Sequence, residues 1–165
     1  MSQKHLHDLF DLDGRVAVVV GADEADGREV ACGLGQLGVV VVVAGEATHD
    51  GHRTVELIRA FGGEAGFRHV DAACHESVEQ LIDYSLGEHG RVDVLIVVTR
   101  QLPDESALAE LDWQLRLFQH MTRGQESEAA MVVVYRHGAA RVSFDTAFAQ
   151  LSDLAAGDRR LWINA

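Results

Sequence analysis

Short apolar runs alternate with amphipathic stretches along the chain, a pattern that predicts βαβ units around a parallel sheet. Arg15–Val20 (RVAVVV) reads as a first, fully buried strand, and Asp26–Leu37 as a helix with Val30, Leu34 and Leu37 on one face. Val39–Val43 is all valine, too β-branched to prefer a helix, and forms the second strand. His52–Phe61 follows as a helix that turns Val55 and Ile58 inward, with Leu57 and Phe61 as further inward candidates, and Gly62-Gly63 stops it. Phe67–Val70 is a short third strand. Ser77-x-x-Gln80 has the form of a capping box, opening a helix through Leu81, Ile82 and Leu86. Val92–Val98, Met131–Tyr135 and Leu161–Asn164 read as the remaining strands, with helices over Leu108–Met121 and Ser143–Ala156. The expected fold class is α/β: a doubly wound parallel sheet of about six strands in three α/β/α layers.

Composition narrows this to one domain over residues 1–165, with 1–10 expected to be a mobile tail. The chain is 47% hydrophobic, has a single proline, and shows no repeat or interdomain linker. The most polar connection is Gly124–Glu128. A formal net charge of -12 argues against nucleic acid, which needs a basic face, and against an anionic membrane surface. The N-terminal residues have no apolar core of a secretory signal, and apolar runs such as Val39–Ala44 are far short of a bilayer span. A cytoplasmic protein is expected, with Cys32 and Cys74 as two free core thiols.

Several phrases resemble the short-chain dehydrogenase/reductase family. Leu12-Asp-Gly-Arg-Val-Ala-Val-Val-Val-Gly21 is similar to its opening strand, and Phe61-Gly-Gly-Glu-Ala65 with Asp71 to the approach to its adenine pocket. Gly90-Arg-Val-Asp-Val-Leu95 resembles the phrase before its Asn-Asn-Ala-Gly motif, and Ala147–Ala156 with Trp162-Ile-Asn164 the helix and strand after its catalytic lysine. The resemblance implies a Rossmann-like sheet, shortened at the C-terminus because the family's seventh strand and substrate-covering segment have no counterpart.

The resemblance also locates a cofactor site, and there the residues depart from the pattern. The family's Thr-Gly-x-x-x-Gly-x-Gly becomes Val20-Gly-Ala-Asp-Glu-Ala-Asp-Gly27: Gly21 and Gly27 stay, and the middle glycine is Ala25. Glycines there let backbone N–H groups approach a pyrophosphate. Asp23, Glu24 and Asp26 instead put carboxylates where the diphosphate would lie. Two like unit charges in close approach cost about 4 kcal/mol at an effective dielectric of 20. The same acids could simply cap the helix and compensate its dipole. Gly45 falls where an NAD-preferring member would carry an aspartate; Glu46 follows it, able to accept a ribose hydroxyl or to stand as a solvated loop acid. Asp71 matches the adenine-side aspartate or is a polar strand terminus. Val97-Val-Thr-Arg100 replaces Asn-Asn-Ala-Gly, the two valines extending a buried strand. The remnant cofactor positions are therefore Gly21, Gly27, Glu46 and Asp71, and the chain is expected to bind no dinucleotide itself.

The family's catalytic tetrad is Asn, Ser, Tyr and Lys, the last two as Tyr-x-x-x-Lys. The tyrosine passes a proton to substrate, and the lysine lowers its pKa and holds the nicotinamide ribose. Lys4 is the only lysine here, so no Tyr-x-x-x-Lys can be written. The asparagine position falls on His120, the tyrosine on Arg141 and the lysine on Asp145, a pair spaced for an ordinary i,i+4 ion pair. No catalytic residue is assigned. Of nine histidines, His49-x-x-His52 falls in a predicted loop and helix start and His5 and His7 in the expected mobile tail, and no three or four ligands converge, so no metal site is expected. Trp113 is read as a helix anchor.

These features suggest a non-catalytic subunit supporting an active short-chain dehydrogenase in a hetero-oligomeric oxidoreductase. NAD or NADP would sit on that partner, and acyl-CoA or a similar compound is a candidate substrate. A stand-alone nucleotide or small-ligand sensor, and an enzyme rebuilt around His120 and Arg100, are the alternatives.

Overall fold

The computed structural model describes residues 12–71, 74–99, 116–123 and 129–135. In chain order they form β1 (Val16–Val20), α1 (Ala25–Gln36), β2 (Val40–Gly45), α2 (Thr48–Ala60), β3 (Ala65–His69), α3 (His75–His89), β4 (Val94–Thr99), α4 (116–122) and β5 (Ala130–Tyr135). The five described strands make one sheet in the order β3-β2-β1-β4-β5, with every neighbouring pair parallel. The expected sixth strand at Leu161–Asn164, the Ser143–Ala156 helix, the 1–10 tail and the Gly124–Glu128 connection lie outside the described residues.

Side-chain alternation along β1 and β2 creates two cores. Val18, Val20 and Val42 face one way and pack with Val78 and Ile82 of α3 and with Leu117, Phe118 and Met121 of α4. Ala17, Val19, Val41 and Val43 face the other way, onto Ala31 of α1 and Val55 and Ile58 of α2. This is the doubly wound Rossmann-like arrangement, with helices on both faces of a sheet whose central strands read as continuous apolar runs.

Long-range contacts shift several boundaries. The α2 helix begins at Thr48 instead of His52. Asp23, far away in sequence, accepts the Ala47 N–H at 2.8 Å and fixes the turn just before the helix. The α3 helix begins at His75 with Cys74 as its N-cap, so the expected capping box does not form. Ser77 Oγ instead accepts the Asp71 N–H at 3.2 Å, and the Gln80 amide reaches Glu76. The third strand starts earlier, at Ala65, because the β2 ladder continues over Ala65 and Gly66 despite their poor strand propensity. Leu57 and Phe61, candidates for the core, are 36% and 60% exposed.

The buried face of α1 also differs from the apolar reading. Gly27, Ala31 and Gly35 are buried, while Val30 and Leu34 flank them, partly covered. A Cβ on Gly35 would stand 2.5 Å from Ile58 Cγ2, so absent side chains set how closely α1 and α2 meet. Small residues mark this seam better than large ones do.

Candidate functional site

The strand order reverses between β1 and β4, and in open α/β sheets ligands bind beyond the C-terminal strand ends at such a switch point. Gly21 ends β1 there with φ 83°, and a Cβ on it would lie 2.6 Å from the Val98 carbonyl of β4. Its N–H and that of Ala22 both bond the Ala44 carbonyl, at 2.9 and 3.1 Å, which turns the chain tightly towards α1. Gly27 lies under this turn: a Cβ on it would be 2.2 Å from the Gly21 carbonyl oxygen. Ala25, between them, opens α1 and is exposed.

Asp23 and Glu24 do not cap α1. Glu24 is the N-cap residue and makes no side-chain cap bond. The Asp23 carboxylate reaches over to the end of β2 and bonds the Ala47 N–H. Its carbonyl accepts Arg28 Nη2 at 3.1 Å, and Arg28 in turn reaches Thr54 Oγ1 at 3.2 Å and the Asp50 carboxylate at 3.7 Å. Thr54, fully buried, donates to the Ala22 carbonyl at 2.8 Å. One network thus ties the β1–α1 turn to the first turns of α2. Neither Arg28 nor Thr54 stood out in the sequence; an Arg on the helix after the glycine turn was the available signal.

Removing the Thr54 hydroxyl while keeping its shape, as Thr54→Val, should destabilise the fold by about 1–2 kcal/mol, since a buried bond is lost without relief elsewhere. A urea midpoint within error of the parent would show that the network contributes little.

Glu46 follows Gly45 and is exposed. Asp71, also exposed, lies beside the same strand end, because the Val70 N–H bonds the Gly45 carbonyl at 3.1 Å. Gly21, Gly27, Glu46 and Asp71 therefore gather at one sheet edge. On β4, Val97 is 5% exposed within the α3–α4 core and Val98 packs on the α1–α2 side. The two valines extend the strand, as expected, with Val97 buried and Val98 partly covered.

His120 does not point to this edge. Leu117, Phe118 and Met121 take the inward face of α4, and His120 Nε2 meets Asp83 Oδ1 of α3 at 2.7 Å, on a partly exposed seam. Arg100, Trp113, Arg141 and Asp145 lie outside the described residues. Among the described residues no three His, Cys, Asp or Glu groups converge as a metal set. His52 packs its ring on Phe67 at 5.0 Å. Cys32 and Cys74 are free; burial pushes the Cys32 thiol pKa up, against the nearby Arg28 charge. Contrary to the core expectation, Cys74 is exposed, because it caps α3. A cavity of about 340 Å³ lies elsewhere, between β2–β3 and α3, lined by Val40, Val42, Arg68, Tyr84 and His89 among others. Arg68 lies over the Tyr84 ring, 3.8 Å from its centroid. No described helix is long and apolar enough to cross a membrane.

The short chain dehydrogenase family model matches residues 15–115, more than half of the chain. The chain belongs to the short-chain dehydrogenase/reductase family. It is 36% identical over 109 residues to the short chain dehydrogenase/reductase astE of Aspergillus oryzae, covering 64% of this chain and 42% of that protein. It is 29% identical over 89 residues to the 7alpha-hydroxysteroid dehydrogenase of Escherichia coli, covering 54% of this chain and 35% of that enzyme. The chain thus spans less than half the length of these curated relatives. Among solved structures, a Burkholderia phymatum short chain dehydrogenase/reductase in complex with NAD matches with a TM-score of 0.73 and 22% identity, over 94% of this chain and 65% of that one. That likeness establishes the fold.

Proposed function

We propose that this family member does not transfer hydride itself and acts as a non-catalytic subunit beside a catalytically competent relative that carries NAD or NADP. The observation that supports this best is which glycines are kept. In a dinucleotide turn the first glycine allows the tight bend, the second lets the backbone approach the pyrophosphate, and the third allows close helix–strand packing. Gly21 and Gly27 have the first and third roles here, both demanded by the fold alone. The second position, whose only purpose is the ligand, is the exposed Ala25. Glycine persists where the fold needs it and has gone where only a cofactor would.

The rest of the site supports the same reading. The Asn-Asn pair of the family is Val97-Val98, Val97 buried in one core and Val98 partly covered against the other. Asp23 stands against the end of β2, and no Tyr-x-x-x-Lys occurs in the 165 residues. The remnant positions Gly21, Gly27, Glu46 and Asp71 are then scaffold rather than cofactor contacts, and an acyl-CoA or related substrate would belong to the partner.

Native mass spectrometry of the chain drawn gently from its own cells tests this. The expected result is a stoichiometric complex with a dehydrogenase that carries an intact Tyr-x-x-x-Lys. A chain found alone or only with its own copies overturns the subunit reading, and turnover by the purified chain overturns its non-catalytic part.

A further inference from the structure

The end of β2 is occupied by a carboxylate from another part of the chain, and we infer that Asp23 is a latch that closes the adenosine half of the crevice from within. This rests on the reading above, that the crevice takes no dinucleotide, and names what closes it. A Cβ on Gly45 would stand 2.0 Å from Asp23 Oδ1, 2.2 Å from its Cγ and 2.6 Å from its Oδ2. The carboxylate thus fills the volume in which a side chain on residue 45 would begin. In dinucleotide-binding sheets an acid about 20 residues beyond the glycine turn meets the ribose hydroxyls from that place. Here the strand end supplies a bare glycine, and the turn itself supplies the acid.

The latch is held at both ends. Asp23 Oδ2 accepts the Ala47 N–H at 2.8 Å, which anchors it to the β2–α2 turn. The Asp23 carbonyl is held by Arg28, which Thr54 and Asp50 hold in turn. Gly45 and Asp23 form a matched pair: any side chain at 45 would expel the carboxylate, and without Asp23 the glycine would leave a gap. Two departures from the family pattern are one structural change. A nucleotide entering here would have to break the Ala47 bond and displace a negative charge lying in its own path.

Calorimetric titration of ADP, which probes the adenosine half alone, separates the outcomes. Asp23→Ser, with thermal melting confirming the fold, should bind ADP about tenfold tighter or more than the parent, since one like charge at contact distance accounts for at least that much. Amide exchange at Ala47 should accelerate in the same variant. Asp26→Asn, which removes an equal charge from the same helix end but leaves the latch intact, should gain far less.

Equal gains in both variants would reduce the effect to general charge and overturn the latch. A folded Asp23→Ser chain with unchanged ADP affinity would also overturn it while leaving the subunit reading in place. Tight NADH binding by the parent would instead overturn the non-binding reading. If Asp23→Ser then weakened that binding, Asp23 would be a ribose acceptor and not a latch. Should Asp23→Ser fail to fold, Asp23→Asn removes the same charge within nearly the same side-chain shape: a folded Asp23→Asn chain should bind ADP more tightly than the parent, and an unchanged affinity would overturn the latch.

Discussion

Asp93→Ala is expected to destabilise the chain by about 2–3 kcal/mol, the cost of losing charge-assisted hydrogen bonds and leaving the Val16 N–H without its acceptor. Asp93 is 4% exposed, at the edge of the sheet opposite the glycine turn. One carboxylate oxygen meets Arg15 at 3.1 Å and also Arg91, and the other accepts the Val16 N–H at 2.9 Å. The Asp93 backbone continues the ladder on both sides, donating to the Val16 carbonyl and accepting from Ala130, each at 2.8 Å. The side chain therefore ties the start of β1 to that of β4, and the backbone of the same residue ties them to the start of β5. Thermal melting of the variant should show a fall of about 5–10 °C, using roughly 2–4 °C per kcal/mol for a chain of this size. A loss below about 1 kcal/mol would mean that the two arginines carry the ladder without it.

The same residue makes a prediction in acid. Burial works to raise the Asp93 pKa, but hydrogen bonds from Arg91, the Val16 N–H and Arg15, together with the Arg91 charge, outweigh it and hold the carboxyl below its usual 3.8. A carboxyl depressed in the folded state contributes stability that is fully present above its unfolded pKa and is lost as pH falls through the folded value. The gap in urea midpoint between the parent and Asp93→Asn should therefore stay level from neutral pH down to about 5 and narrow below about 4. A gap that is unchanged at about pH 3 would show that the charge contributes nothing beyond the hydrogen bonds.

Much of this molecule could be read from local pattern. The valine runs of β1, β2, β4 and β5 are long enough, and apolar enough on both faces, that only a buried parallel sheet suits them. What escaped was set by distant partners. The start of α2 depends on a bond from Asp23, and the start of α3 on Ser77 turning back to Asp71 rather than capping forward. The inward face of α1 escaped for another reason: Gly27, Ala31 and Gly35 carry no apolar signal, although missing side chains are what permit close packing. At the site, the residues were legible and their relations were not. Asp23, Glu24 and Asp26 read as one acidic group, yet Asp23 leaves it for the end of β2. Gly45 was the available clue, because a glycine inside a strand often marks the close approach of another group.

Gly27→Ala should destabilise the fold by about 3 kcal/mol, at the upper end of what overpacking costs, because nothing near the new methyl can yield. The added Cβ would meet the Gly21 carbonyl oxygen at 2.2 Å, its carbon at 2.6 Å and Ala22 Cα at 2.9 Å, all of them backbone. A flexible side chain could rotate away, whereas this turn is fixed by its two bonds to Ala44 and by the Thr54 bond to Ala22. Ala25→Gly is the informative comparison. Its side chain is exposed at the start of α1, so the change should cost well under about 1 kcal/mol, the ordinary helix penalty of glycine. A large loss at Gly27 beside a small one at residue 25 would mean that the fold by itself accounts for the glycines this turn has kept, so their presence says nothing in favour of a bound pyrophosphate. If Gly27→Ala were tolerated, packing would no longer explain why that glycine persists, and a ligand pressed against the turn would become its better explanation.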